Sequence, residues 1–435
     1  MAKQVIRPQL YFLEPGLGVD GENGRLLTGA EGAANRLPFP VTRGTVIAPA
    51  APQPYAVFFY RPAIPPELIH TYSYQAESNW TTYAPEFSRT ELRDDAWEAT
   101  ETGFIRIFVV PAPAEENLLS SLFRIEQGPV EESGVPAWMA GEIDALRRRW
   151  EKCRREGDVT LLLLADTHYA VGCTWPDTGE SLRLAAETVS AEALVHLGDL
   201  TDGLLPGRYT RLVTESLLSQ MREICSRVWC CLGNHDRNYF RGNPEKLSLS
   251  ECAELYLGRD DPWYFEDLKE KKLRLFFLDS FDPEEKERYG FSRQEVRWLR
   301  KALRTTPRGW KGLLFSHVPP VAEIHVWSDT IRNGERVLSL LERFHRRRGA
   351  VLGWIHGHSH ADQIYDKRAF PIIGIGCAKL EDFREHKPEG SLTWNREQNT
   401  RTQELWDLLL IHPAEGSMDF LRFGAGEDRH VERKP

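Results

Sequence analysis

The chain has 435 residues, 41% hydrophobic, 27% charged and 11% aromatic, with a formal net charge of -9. That length exceeds one ordinary domain and can bury a sizeable core. The acidic balance argues against a broad nucleic-acid footprint, which needs a basic face, and no stretch approaches the roughly 20 apolar residues that span a bilayer.

Residues 1–10 lack the apolar stretch of a signal peptide. The seven cysteines are an odd number without Cys-x-x-Cys spacing, and Cys230 and Cys231 lie in an apolar run. They read as reduced, buried thiols. A cytoplasmic protein with no membrane association and no structural disulfides is expected. The short run Arg346–Arg348 follows a helix pattern and reads as a solvated helix end.

Residues 1–112 are rich in Pro, Gly and aromatics, with strand-like runs at 55–60 and 104–110. They predict a small β-rich N-terminal domain without a motif, whose aromatics serve packing or a homo-oligomer contact. Residues 113–156 predict a helical connector, with its helix over 136–156. Residues 157–435 then alternate strands and helices and predict an α/β domain. Strands are expected at 159–165, 193–197, 228–232, 273–278, 312–315 and 351–355, and helices at 180–193, 208–226 and 292–303. Ser292 is placed to cap the last of these, with Glu295 reaching back and Phe291 stapling onto Val296. A strand near 371–376 and a pair at 405–411 and 418–423 close the domain.

Five of the apolar runs end in the same kinds of residue. They deliver Asp166-Thr167-His168, then Gly198-Asp199-Leu200-Thr201-Asp202, Gly233-Asn234-His235-Asp236, Ser316-His317, and Gly357-His358-Ser359-His360. In an α/β sheet the loops at the carboxyl ends of strands build the site. Each fragment alone is weak; together they place metal-ligand types at one edge. Oxygens and imidazoles without thiolates suit Mn, Fe or Zn. Asp166, His168, Asp199, Asn234, His317, His358 and His360 are seven residues. With one bridging carboxylate they offer about eight bonds, enough for two ions ~3.5–4 Å apart that clamp an in-line phosphoryl displacement.

These blocks resemble the calcineurin-like metallophosphoesterase superfamily, and within it the bacterial phosphodiesterase-type members. The resemblance covers roughly 159–425 and leaves 1–112 outside. It implies a four-layer α-β-β-α sandwich preceded by the β-rich domain. It implies that Asp166, His168 and His360 hold one metal, that Asn234, His317 and His358 hold the other, and that Asp199 bridges them. A metal-bound hydroxide would attack phosphorus. His235 would protonate or stabilise the leaving oxygen, and Asp202 would orient His235 through its other ring nitrogen. Asp236 reads as a turn former, and Gly233 as the residue that lets the backbone turn.

Gly-Asp-Leu-Thr-Asp-Gly and Gly-Asn-His-Asp depart from the protein Ser/Thr phosphatase pattern. Asp202 stands where purple acid phosphatases carry tyrosine. The resulting expectation is a binuclear-metal phosphodiesterase acting on a small or nucleotide-like substrate. The alternatives are a phosphomonoesterase, a DNA-processing nuclease and a non-catalytic scaffold. Arg237 and Trp327, with His325, are candidate substrate contacts near the blocks. So are Arg396, Asn399, Arg401 and Gln403, if segment 377–404 roofs the site.

Overall fold

Short apolar runs broken by turn residues build the first part of the chain from antiparallel strands. The computed structural model describes residues 10–61, 86–128, 135–169, 174–203, 205–239, 243–348, 350–380, 393, 396–397 and 399–433. Much of the expected roof, at 381–392, 394–395 and 398, therefore lies outside the described residues. The chain divides into two units between Val135 and Pro136.

In the first unit, a seven-stranded sheet sets Pro54–Arg61 between the edge strand Glu86–Arg93 and Gly103–Val109. Six of the eight residues of Pro54–Arg61 are buried, so both its faces are covered. Glu86–Arg93 is a charged, largely exposed edge strand, which discourages further pairing. A second sheet joins Val46–Pro49 to Trp97–Glu98 and Phe123–Glu126.

Residues 113–156 do not form a separate connector. Asn117–Leu118 pairs with Phe12–Val19, and Phe123–Glu126 pairs with Val46–Pro49, inside the first unit. Helix Ala137–Cys153 belongs to the second unit, where Met139, Ile143, Leu146 and Trp150 enter the core beside Leu162 and Leu164. The apolar stripe of this helix needs a sheet to cover, and the strand-sized pieces before it need sheet edges.

The second unit is a sandwich of two six-stranded sheets. The first runs Val228–Cys230, Ala193–His196, Val159–Leu164, Leu405–His412, Ser417–Gly424, Arg429–Glu432. The second runs Tyr264–Leu268, Leu273–Leu278, Lys311–Ser316, Val351–His356, Ile372–Gly374, Gln363–Tyr365. Side-chain alternation sets the layers. Val159, Leu161 and Leu163 face the second sheet, among Leu275, Phe277 and Phe315. Leu162 and Leu164 face helices Ala137–Cys153, Trp175–Thr188 and Gly207–Ile224. Helices Arg293–Thr305 and Gly334–Arg348 cover the other side through Val296, Leu299, Leu338 and Leu341. The order is α-β-β-α, with each buried leucine contributing roughly 2 kcal/mol.

Two local expectations change. Ser292 Oγ does accept from the Glu295 amide at 3.0 Å, but the Glu295 side chain does not return to the cap. Its buried carboxylate accepts the Asp279 amide at 2.9 Å, tying the helix to the end of Leu273–Leu278. The helix expected at 180–193 runs over Trp175–Thr188, because Trp175 and Leu182 are both core residues. Among the described residues no helix is long and apolar enough to cross a membrane.

Candidate metal centre

Val159–Leu164, Ala193–His196 and Val228–Cys230 are mutually parallel, and so are Lys311–Ser316 and Val351–His356. Within each sheet their carboxyl ends therefore share an edge. The loops there are forced into tight geometry. Asp166, His168, Asp199, His358 and His360 all have left-handed backbone, with φ of 57°, 40°, 54°, 65° and 50°. Such conformations cost about 1–2 kcal/mol for a non-glycine residue and concentrate at functional sites. Two glycines make the approach possible. A Cβ on Gly233 would lie 2.1 Å from Asp199 Oδ1, and one on Gly357 would lie 2.7 Å from Asp166 Oδ2. Gly233 is thus required by close packing against a carboxylate rather than by its own φ.

Asp199 Oδ2 lies 3.2 Å from His317 Nε2 and 3.8 Å from His168 Nε2. On one side of it, His168 Nε2 is 3.3 Å from His360 Nε2, which is 3.3 Å from Asp166 Oδ1. On the other, His317 Nε2 is 3.1 Å from both Asn234 Oδ1 and His358 Nδ1. Two donors on one metal, each about 2.1 Å from it, lie roughly 3–4 Å apart. The donor set fits two cations with Asp199 between them. Asp166 Oδ1 is buried and accepts no hydrogen bond, as a ligand oxygen would.

Hydrogen bonds fix which ring nitrogens face inward. His317 Nδ1 donates to the Leu197 carbonyl at 2.9 Å, which turns Nε2 toward the cluster. Burial, reinforced by neighbouring imidazoles, pushes His168 and His358 well below the ordinary histidine range, so both are neutral. Burial also pulls on His317, but Asp199 overrides it and raises His317 to about 9. Asp199 is in turn held at about 2: burial opposes its charge, and His317 and His235 outweigh burial. The carboxylates draw positive charge onto the site.

Asp236 does more than turn the chain. Its carboxylate accepts the amides of Gly233, Asp199 and Leu200 at 2.8–2.9 Å and that of Thr201 at 3.3 Å. It locks the two loops that carry Asp199 and Asn234 against each other.

Asp202 orients His235, but not through its carboxylate. His235 Nδ1 donates to the Asp202 backbone carbonyl at 2.7 Å. The Asp202 carboxylate is turned to His168 Nδ1 at 3.5 Å and to Lys379 Nζ at 3.8 Å. The His168 and His235 rings meet edge-on at 4.6 Å beside it. His235 Nε2 faces Asp199 Oδ2 at 3.9 Å.

A sixth strand end joins the cluster, and no motif announced it. After Ile372–Gly374, the sulfur of Cys377 lies with His168 and His360 in a set of donors within 4.8 Å of one another. Lys379, 7% exposed, follows two residues later. Cys377 belongs to an apolar-looking run, Gly374 to Ala378, which the residue types alone do not mark as a site, and Lys379 follows directly after it.

The candidate substrate contacts separate. Trp327 is 45% exposed, and its amide donates to His325 Nδ1 at 3.3 Å. His325 stacks on His358 at 4.8 Å, so this loop borders the cluster. Arg237 is buried, with Nε donating to the Leu247 carbonyl and its charge opposing the rise that burial imposes on Asp279. Arg401 donates to the Gly424 carbonyl at 2.6 Å and lies 3.9 Å from Glu142, neither of them in the cluster. Arg396 is buried and donates to the carbonyls of Cys377 and Lys379 at 2.7 Å. Gln403 donates to Asp177 Oδ2, and the Asn399 amide donates to Gln403 Oε1.

The loop of His358 and His360 is anchored from behind. Asp362 receives Arg422 at 2.6 Å and Arg429 at 3.1 Å, and both arginines also bind Asp407; all four are buried.

Residues 159–362 match the family model described as calcineurin-like phosphoesterase. A dimetal phosphatase from Danio rerio is 18% identical with a TM-score of 0.45, over 63% of this chain and 99% of that one. GAP50, the anchor in the inner membrane complex of Plasmodium, is 13% identical with a TM-score of 0.41, over 64% and 90%. Phosphopantetheinyl hydrolase from Mycobacterium tuberculosis is 14% identical with a TM-score of 0.33, over 54% and 95%. No curated protein matches the chain.

Proposed function

From the match of residues 159–362 to the calcineurin-like phosphoesterase model, we propose that this chain is a binuclear-metal phosphodiesterase for a small, nucleotide-like substrate. One observation carries the reading: Asp199 Oδ2 is shared between His168 and His317, each of which opens onto its own donor set. Asp166, His168 and His360 hold one metal, Asn234, His317 and His358 the other. Manganese, iron and zinc all suit these donors. When bound, the pair supplies Lewis-acid polarisation of the phosphoryl oxygens.

The chain's own groups do the rest. His235 keeps its Nδ1 proton on the Asp202 carbonyl, so its Nε2 is the end that gives a proton to the leaving oxygen. Trp327, exposed beside His325 and His358, offers a flat apolar face to a nucleobase. The six free cysteines among the described residues fit a reducing compartment such as the cytoplasm.

Purified protein reconstituted with manganese should hydrolyse bis(p-nitrophenyl) phosphate, and Asp199→Ala or His317→Ala should abolish this. Activity that survives both substitutions overturns the reading. A phosphomonoesterase is the second reading, favoured by Lys379, whose buried charge suits the extra negative charge of a monoester. Faster turnover of p-nitrophenyl phosphate than of the diester would select it.

A further inference from the structure

We propose that Cys377 is a thiolate ligand of the metal held by Asp166, His168 and His360, making this half of the centre a mixed oxygen, nitrogen and sulfur site. The inference rests on the cluster being a metal centre and adds a donor of a chemical class that the five strand-end blocks lack.

The sulfur belongs to the same compact donor set as His168 and His360, all within 4.8 Å of one another. Cys377 is 2% exposed, and its thiol donates to the Asp166 carbonyl at 3.1 Å, so it sits over the loop that supplies the first ligand. A second feature of the site calls for a cation there. Asp166 Oδ1 is fully buried without a hydrogen bond and points toward His360 Nε2 at 3.3 Å.

The position of the sulfur is fixed rather than fortuitous. The Ala378 amide donates to the Ala165 carbonyl at 2.8 Å, and the Lys379 amide to the Asp166 carbonyl at 3.1 Å. These bonds zip segment 377–379 onto the loop after Val159–Leu164. From the opposite side Arg396 grips the carbonyls of Cys377, Ala378 and Lys379 at 2.7, 3.1 and 2.7 Å. Arg396 also donates to the Thr402 and Gln403 carbonyls, so it ties the backbone that carries the thiol to segment 402–403. Ligation forms a sulfur–metal bond and releases the thiol proton to solvent. A thiolate shifts the preference of the site away from manganese and toward zinc, cobalt or iron.

The test is spectroscopic. Full-length apoprotein is titrated with cobalt(II) chloride under argon, following the near-ultraviolet thiolate-to-cobalt charge-transfer absorption and counting bound cobalt. The expected result is two cobalt ions per chain, with the absorption growing over one equivalent. Cys377→Ser and Cys377→Ala should each lose the absorption while still binding cobalt, and their preference for zinc over manganese should fall at least tenfold. X-ray absorption on the wild-type cobalt form, which needs no variant, should find one sulfur at about 2.3 Å. Two bound ions without absorption or sulfur overturn the proposal and leave the phosphoesterase reading standing. Absorption that persists in both variants assigns it to another cysteine and overturns the proposal too. If no cobalt binds, the proposal falls together with the metal centre.

Discussion

The backbone carbonyl of Asp202 lies 2.7 Å from Nδ1 of His235, while the carboxylate of the same residue turns to His168. One residue thus serves the proposed proton donor through its main chain and the proposed metal ligand through its side chain. Substitutions separate the two. His235→Ala should lower kcat by about 10²–10⁴-fold and leave two metals per chain. Asp202→Asn keeps the carbonyl, so it should leave the proton-transfer step largely intact and weaken metal binding by about 10–100-fold. Rate measured at saturating metal, beside metal titration, distinguishes them. If Asp202→Asn at saturating metal lost as much rate as His235→Ala, the carbonyl would not be the group that matters.

Asn234→Ala forms the complementary case. Its Oδ1 faces His317 Nε2 at 3.1 Å, on the opposite side of Asp199 from His168. The variant should bind one metal with ordinary affinity and the second weakly, read as two separated transitions in a calorimetric titration. Two unchanged sites would remove Asn234 from the ligand set.

Asp236 is the residue whose loss should be most structural. Four amides from two loops converge on its carboxylate. Asparagine keeps one acceptor oxygen and turns an N–H₂ toward groups that also donate. Asp236→Asn should destabilise the protein by about 2–3 kcal/mol and lower metal affinity, because Asp199 moves with its loop. Denaturant unfolding of the metal-free protein measures the first effect apart from the second.

The visible part of the site was its chain of candidate ligands. Asp166, Asp199, Asn234, His317 and His358 follow apolar runs that become parallel strands, so adjacency in the fold follows from position on the strand. The hidden part involves groups that no letter encodes or that act at long range. The Asp202 carbonyl is main chain, and any residue there would supply it. Glu295 has the spacing of a capping box, yet its carboxylate finds the Asp279 amide, which only tertiary packing brings near. Arg237 and Arg396 look like phosphate ligands in the sequence because arginine is the usual one. Arg396 is buried against backbone carbonyls, where its guanidinium stitches loops together, whereas Arg237 donates through Nε to the Leu247 carbonyl and its buried Nη1 has no hydrogen-bond partner among the described residues. Cys377 was obscured by the opposite error, since a cysteine in an apolar run reads as core. The short strand before it, Ile372–Gly374, marks the edge where it emerges.

Metal binding should also stabilise the fold. Five residues of the cluster hold left-handed backbone, and the carboxylates of Asp166 and Asp199 are buried. A ligand present at 100 times its Kd adds about 2.7 kcal/mol. The melting temperature should rise with manganese or zinc concentration and fall on chelation, and Asp199→Ala should flatten this dependence. A melting temperature indifferent to metal would mean that the cluster is held by the fold alone.

Glu404 gives a pH dependence whose sign can be worked out. It is fully buried at the start of strand Leu405–His412, and burial lifts its carboxyl to about 7, against the bonds that Gln403 and Thr178 offer it. In the unfolded chain the same group titrates near 4.3. The folded state therefore binds the proton more tightly, and stability falls as pH rises between about 4.3 and about 7, by up to roughly 3–4 kcal/mol. Glutamine has the shape of the protonated acid and does not titrate. Glu404→Gln should match the wild type near pH 4, where both states of the wild type are protonated, and melt higher by several degrees at pH 8. The comparison between the two proteins cancels the other titrating groups, so the gap itself reports Glu404. A gap that stays constant from pH 4 to pH 8 would show that this carboxyl is already ionised in the folded protein.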